Sequence, residues 1–286
     1  QADMLTTQGH FRKAIAAYDK ALKINPNHHG VIAGKANTWL RLNEPKKALQ
    51  LLKPLMNASN ADATILIAYS KTLIAMDEPF EAAKCLLERL PAINEPNETR
   101  RTLYFTLGKA MEQAGEYPRA FEAYGEGNAL SLSGFDAAET NEKYKRFKSL
   151  FSISKINSLP TADIDASNRV FIVGMLRSGS TLTEQIIDAH PQAYGIGESE
   201  VLPALINAAL NDQIIEVWQN FSSEQLTEIA AKYLHETQDA NEQNFVVDKQ
   251  LGNFQFIGMI RQLFPNAKVI HCTRNPMSMG LSCFAQ

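Results

Sequence analysis

Alanines recur at Ala14, Ala48 and Ala82, each 34 residues from the last, and return at Ala120 after a four-residue insertion. A fixed period of this size means that the first half of the chain is one supersecondary unit stacked on copies of itself. An acid stands four residues ahead of the last three alanines, at Glu44, Glu78 and Glu116, and a proline opens each intervening stretch in "EPKKA", "EPFEA" and "EYPRA". Each stretch reads as a turn followed by the start of a second helix. The small alanine lets the two helices of a hairpin approach closely, and larger residues four positions on, Tyr18, Leu52, Leu86 and Tyr124, fill the neighbouring gap. Pro26, after "ALKIN", ends a second helix, because its ring cannot continue one.

Over about residues 1 to 130 these features resemble the tetratricopeptide repeat (TPR) family, best at "LGKAMEQAGEYPRAFEAY" and less well in the middle repeats, where Ser70 replaces a first-helix glycine or alanine. The resemblance implies a concave helical surface that binds a protein or peptide; a spacer or dimerisation arm is the plainer alternative. "DAAETNEKYKRFKSLF", from Asp136 to Phe151, is expected to cap the last repeat, giving a helical domain over 1–152. The polar stretch "SISKINSLPTADIDASN", with Pro160, is expected to be a linker over 153–168.

After Asn168 the helical rhythm gives way to short β-branched runs alternating with helices: "RVFIV", a helix from Ser180 to Ala189, "NFVVD", a helix "NFQFIGMIRQLF", "AKVIHCT" and a last helix from Pro276. Strands and helices in this alternation predict a parallel sheet with crossovers, so the expected fold is α + α/β: an all-α solenoid, then a P-loop-type parallel sheet flanked by helices over 169–286. Ligands of such sheets sit beyond the carboxyl ends of the strands. Gly174 to Thr181, Asp248-Lys249 and Arg274 all fall there, and are expected to converge on one crevice. The sheet domain is expected to be incomplete at its C-terminal end.

A net charge of −3 supplies no global field to gather nucleic acid or anionic lipid, so any anion site must be local. No apolar run approaches the roughly 20 residues of a membrane span, and no secretory leader opens the chain, which begins at Gln1 without a methionine and so leaves open a start, signal or anchor ahead of it. Cys85, Cys272 and Cys283 show neither a C-x-x-C pair nor a disulfide framework; a reducing, cytoplasmic location is expected.

"GMLRSGSTL", residues 174–182, follows the first apolar strand with P-loop spacing, but Ser180 stands where the lysine of G-x-x-x-x-G-K-[ST] belongs. Backbone N–H groups from Arg177 to Thr181 would face inward at a helix start whose dipole favours an anion, and Arg177 adds a forked cation. A magnesium triphosphate needs the missing lysine and a strand-end aspartate; Asp248 could be that aspartate, but Lys249 follows it at once. The loop therefore suits a monophosphate-bearing ligand.

"VFIVGMLRSGSTLTEQIIDAHPQAYGIGESEVL" and "VVDKQLGNFQFIGMIRQLFPNAKVIHCTRNPMSMGLSCFAQ", in this order, resemble the sulfotransferases that use 3'-phosphoadenosine 5'-phosphosulfate (PAPS), and most closely the tyrosylprotein and bacterial TPR-linked sulfotransferases. The resemblance implies that Arg177, Ser178, Gly179, Ser180 and Thr181 bind the 5' end of the donor, and that Arg274 and Ser282 bind the 3'-phosphate. It implies 3',5'-adenosine bisphosphate as the product and no metal. The usual "PRSGTT" is here "LRSGST", and Asn275 stands where an acid commonly follows the 3'-site arginine.

Sulfuryl transfer still needs a base for the acceptor hydroxyl, and "GIGESE" offers Glu198 and Glu200. By resemblance Glu198 is the catalytic base and Lys249 stabilises the bridging oxygen of the leaving phosphate; Leu251 occupies the position where small-molecule sulfotransferases place a histidine base. Read without the flanking motifs, Glu198 and Glu200 are first-turn acids of the next helix, and Lys249 a solvated charge. His190 is expected to close a helix, His271 to be a core histidine, and Cys272 and Cys283 to pack in the interior. The expected function is sulfuryl transfer from PAPS to a hydroxyl acceptor, a protein or peptide tyrosine among them, with no nucleic-acid partner and no membrane segment. A TPR scaffold with a degenerate nucleotide domain, and a P-loop nucleotide kinase, are the alternatives.

Overall fold

A computed structural model describes residues 1–57, 61–92, 96–131, 134–211, 215–238 and 245–286. By contacts the chain divides into two units, Gln1–Gly134 with Phe284–Gln286, and Phe135–Cys283.

In the first unit, α1 (Ala2–Thr7), α2 (Phe11–Ile24), α3 (His29–Arg41), α4 (Pro45–Asn57), α5 (Ala63–Ala75), α6 (Pro79–Arg89), α7 (Asn97–Gln113) and α8 (Tyr117–Ala129) form four successive hairpins. The repeat alanines sit on α2, α4, α6 and α8 and are buried, as are Tyr18, Leu52, Leu86 and Tyr124 four residues on. Close approach has a visible cause at Gly108, where an added Cβ would come within 2.4 Å of the Tyr124 ring. Ser70 is wholly buried on α5, and its hydroxyl finds no partner among the described residues.

The second unit opens with α9 (Ala137–Leu150) and α10 (Ile153–Ile156). Here the structure differs from the sequence-based boundaries. The helix expected to cap the repeats instead packs Phe147 and Phe151 against the core of the second unit. The reason is steric as well as apolar: the Phe151 ring fills the space above Gly258, where a Cβ would lie 2.1 Å from it. Nor are the residues up to 168 a free linker. Ala162 and Ala166 are buried, and buried Gln262 ties the segment down: its Nε2 donates to the Pro160 carbonyl (2.8 Å), its carbonyl accepts from Ala162 N–H (2.8 Å), and its Oε1 accepts from Trp218 Nε1 (3.1 Å).

The sheet comprises β1 (Arg169–Gly174), β2 (Ala193–Gly197), β3 (Phe245–Asp248) and β4 (Lys268–Cys272), all parallel in the order β2-β3-β1-β4. Asn244, expected to open β3, lies outside the described residues. Between the strands run α11 (Ser180–Asp188), α12 (Val201–Leu210) and α13 (Ser223–Glu236), then α14 (Ile257–Leu263), with α15 (Pro276–Phe284) after β4. The single helix expected over "NFQFIGMIRQLF" is a 3-10 segment, Leu251–Phe256, leading into α14, because Gln250 Oε1 accepts from Gly252 N–H and opens the tighter turn one step after Lys249.

β1 is buried along its whole length and alternates its side chains between two cores. Phe171 joins Tyr233 and Phe264 on one face, while Val170 and Ile172 meet Val247 and Ile187 on the other. The side on which strands are added switches beside β1, since α11 leads to β2 on one side and β4 lies on the other. Among the described residues no helix is long and apolar enough to cross a membrane.

Candidate functional site

The carboxyl ends of all four strands carry the candidate residues. Gly174 ends β1 opposite Cys272 of β4, with φ of 152°, and a Cβ there would lie 2.5 Å from the Cys272 carbonyl oxygen. Only glycine lets the chain turn off the strand at this approach. The loop then takes left-handed backbone at Arg177 (φ 67°) and Gly179 (φ 95°), and α11 begins at Ser180. The first N–H groups of a helix have no intrahelical acceptor and carry the positive end of its dipole, so the loop presents donors to an anion. Ser180 is buried at the helix start, Thr181 is exposed beside it, and the Ser178 hydroxyl is buried with no partner among the described residues.

Arg274 and Ser282, expected to bind the 3'-phosphate, come to this loop. Arg274 Nη1 donates to the Arg177 carbonyl at 3.4 Å, and Arg177 Nε donates to Ser282 Oγ at 2.9 Å. The Cys283 thiol approaches the Leu176 carbonyl at 3.9 Å, so α15 leans on the loop. Asn275, standing in the acid's place, caps α15 instead: its Oδ1 accepts from Met277 N–H (3.0 Å) and Ser278 N–H (3.2 Å). None of the described carboxylates pairs with Arg177 or Arg274. Two uncompensated guanidiniums and an orphaned buried hydroxyl around one glycine-cornered loop fit an anion, and a phosphate or sulfate group supplies the acceptors they lack.

The two catalytic candidates form a second cluster. Lys249 Nζ lies 2.6 Å from Glu198 Oε1, and the lysine side chain is 7% exposed against 59% for the glutamate. Glu198 follows β2 and Lys249 follows β3, where the Lys249 N–H donates to the Gly197 carbonyl at 2.9 Å. One residue on, Gln250 Nε2 donates to Glu200, giving the same two turns a second tie. A third carboxylate, not anticipated from the sequence, completes the group. Glu184, 12% exposed on α11, places Oε2 3.9 Å from Lys249 Nζ, while its Oε1 accepts from Gly197 N–H at 2.9 Å. Glu184 is one helical turn, about 6 Å, from Ser180. α11 thus connects the cradle to the ion-pair cluster.

Asp248 turns away from this group. Its Oδ2 accepts from the buried Tyr233 hydroxyl (2.8 Å) and its Oδ1 from Gln250 N–H (3.0 Å). Burial raises its carboxyl to about 6, against the pull of those two bonds, with the negative charges of Glu184 and Glu200 adding to the rise. Burial also drives the Tyr233 phenol well above its usual range, helped by the carboxylate it faces. Asp248 is a core carboxyl, not a strand-end group aimed at the loop. His190 follows α11, exposed, and its ring accepts from Gln192 N–H. His271, expected in the core, is exposed because β4 is an edge strand, and Cys272 and Cys283 are half-buried.

Residues 169–286 match the sequence model of the Sulfotransferase family, and residues 5–63 match that of the Tetratricopeptide repeat. A protein of Aquifex aeolicus (strain VF5), described as uncharacterized, is 29% identical over 273 residues, 91% of this chain; the chain spans 35% of the length of that relative. The crystal structure of MamA is similar over 46% of this chain and 74% of its own, at 26% identity and a TM-score of 0.37.

Proposed function

We propose that this chain, carrying a sulfotransferase-family domain behind tetratricopeptide repeats, transfers a sulfuryl group from PAPS to a hydroxyl acceptor, with the repeats binding the acceptor protein or another partner. The observation that carries this reading is the meeting of Arg274 and Ser282 with Arg177 at one strand end, which sets cations for two separate anionic groups beside a single loop. Arg177, Ser178, Gly179, Ser180 and Thr181 would hold the 5' phosphosulfate, Arg274 and Ser282 the 3'-phosphate. The inward-turned Asp248 favours a donor bound without magnesium over a magnesium triphosphate.

In the transfer, the acceptor oxygen attacks sulfur, its proton passes to Glu198, and the S–O bond to the leaving phosphate breaks with its electron pair on that phosphate. Lys249 would offset the charge that develops there. In the structure Lys249 instead holds Glu198, so the base is free only when the ammonium is drawn toward the donor. A tyrosine of a protein or peptide is our proposed acceptor, and the three free thiols suit a cytoplasmic setting.

Calorimetry with 3',5'-adenosine bisphosphate tests the reading. We expect magnesium-independent binding, weakened about 10-fold or more by Arg274→Ala, as suits loss of a charge-assisted contact. Glu198→Gln should bind the bisphosphate and lose turnover with labelled donor. Absence of bisphosphate binding to the wild-type chain, or binding of ATP only with magnesium, refutes the assignment.

A further inference from the structure

Lys249 is almost completely covered, yet its short contact is to an exposed carboxylate that, in the mechanism above, becomes neutral when it accepts a proton. Before the donor's phosphate is in place, or after it has left with Glu198 still protonated, the ammonium would lack a partner in a poorly solvated place, which is costly unless a second anion stands ready. Glu184 is that anion. Its Oε2 lies 3.9 Å from Lys249 Nζ, within ion-pair range and beyond a direct hydrogen bond, and its side chain is 12% exposed. Its carboxylate is held by the Gly197 N–H at 2.9 Å, the backbone group directly ahead of Glu198, and a Cβ on Gly195 would crowd it at 3.2 Å. That hydrogen bond ties the carboxylate to the end of β2, and the bare Gly195 leaves it room there.

We infer that Glu184 is a positioning residue of the transfer site, the buried carboxylate that retains Lys249 while Glu198 releases it. This rests on the sulfotransferase reading for its kinetic consequence, but the shared lysine is a property of the folded chain whatever its substrate. Glu184 touches no reacting atom in this scheme; it acts through Lys249 and through the Gly197 backbone.

The test is a set of variants in the whole chain, read first by the rate at which an amine-reactive ester labels Lys249, quantified by peptide mass spectrometry. Glu198→Gln alone should leave that rate within about 2-fold of wild type, because Glu184 still holds the ammonium; adding Glu184→Gln should raise it about 10-fold or more. A full rise in Glu198→Gln alone, or no further rise in the double variant, overturns the inference. Neither result depends on activity, so both remain readable if the wild-type chain binds no bisphosphate and the sulfotransferase reading fails. The single Glu184→Gln variant, with lower risk of misfolding, gives a second reading: kcat down about 10-fold or more with bisphosphate affinity unchanged, and partial recovery in Glu184→Asp. Unchanged kcat, or loss of affinity in step with kcat, also overturns it.

Discussion

Asp248→Asn should change the sign of its effect on stability between pH 4 and pH 7. The wild-type carboxyl titrates near 6 in the folded chain against an ordinary 3.8. Between these values the folded state keeps a proton that the unfolded state has released, so stability falls as pH rises through the window and is fully reduced above it. At about 1.4 kcal/mol per pH unit, the rise corresponds to about 3 kcal/mol of stability lost by pH 7. Asparagine removes that loss but carries two N–H donors where the protonated carboxyl carries one O–H, and the extra one faces groups that already donate, the Tyr233 hydroxyl, the Gln250 N–H and Asn253 Nδ2, at a cost of about 1–2 kcal/mol. The variant should therefore be less stable than wild type at pH 4 and more stable at pH 7, with the curves crossing near pH 5. Urea unfolding followed by Trp218 in a Trp39→Phe background reports the second unit alone, since these are the two tryptophans of the chain and Trp218 is wholly buried there. Parallel stability-against-pH curves for the two proteins would refute the account of Asp248 as a buried, proton-retaining group.

Two further perturbations probe the loop after β1 and the segment 160–166. Gly174→Ala drives a Cβ to 2.5 Å from a backbone carbonyl fixed by β1–β4 pairing, and should cost about 2–4 kcal/mol and abolish bisphosphate binding; near-wild-type values in urea unfolding and calorimetry would count against the tight corner. Gln262→Leu leaves the Trp218 indole N–H and the Pro160 carbonyl without their partner, and should cost about 2–5 kcal/mol while residues 160–166 become accessible to limited proteolysis; unaltered protection would mean that packing and the backbone bond from Ala162 N–H to the residue 262 carbonyl hold the segment without the side chain.

The repeats were legible because a packing requirement recurs in register: a small residue at Ala14, Ala48, Ala82 and Ala120 is dictated by helix contact, and periodic sterics write themselves into sequence. β1 and β4 were equally plain as short runs rich in β-branched residues. β2 was not anticipated, because "AYGIG" carries two glycines, pairs only with β3 and shifts register between Gly195 and Gly197. α13 was missed although Ser222 and Gln225 form a capping box that Ser-x-x-Gln announces. Glu184 and the placement of α9 depend on which helix faces meet, and no spacing rule supplies that. That Glu184 is buried although charged is seen only once the chain is folded.

Because every strand runs the same way, the two rims of the sheet are unequal in what they tolerate. The turn Pro265–Ala267 enters β4 at the rim opposite Arg274, with Asn266 exposed at its tip. A fluorophore, affinity handle or short peptide grafted at Asn266 would ride on the same strand as the proposed anion site, a strand's length away from it, and so offers an attachment point for immobilised binding assays that leaves the crevice open.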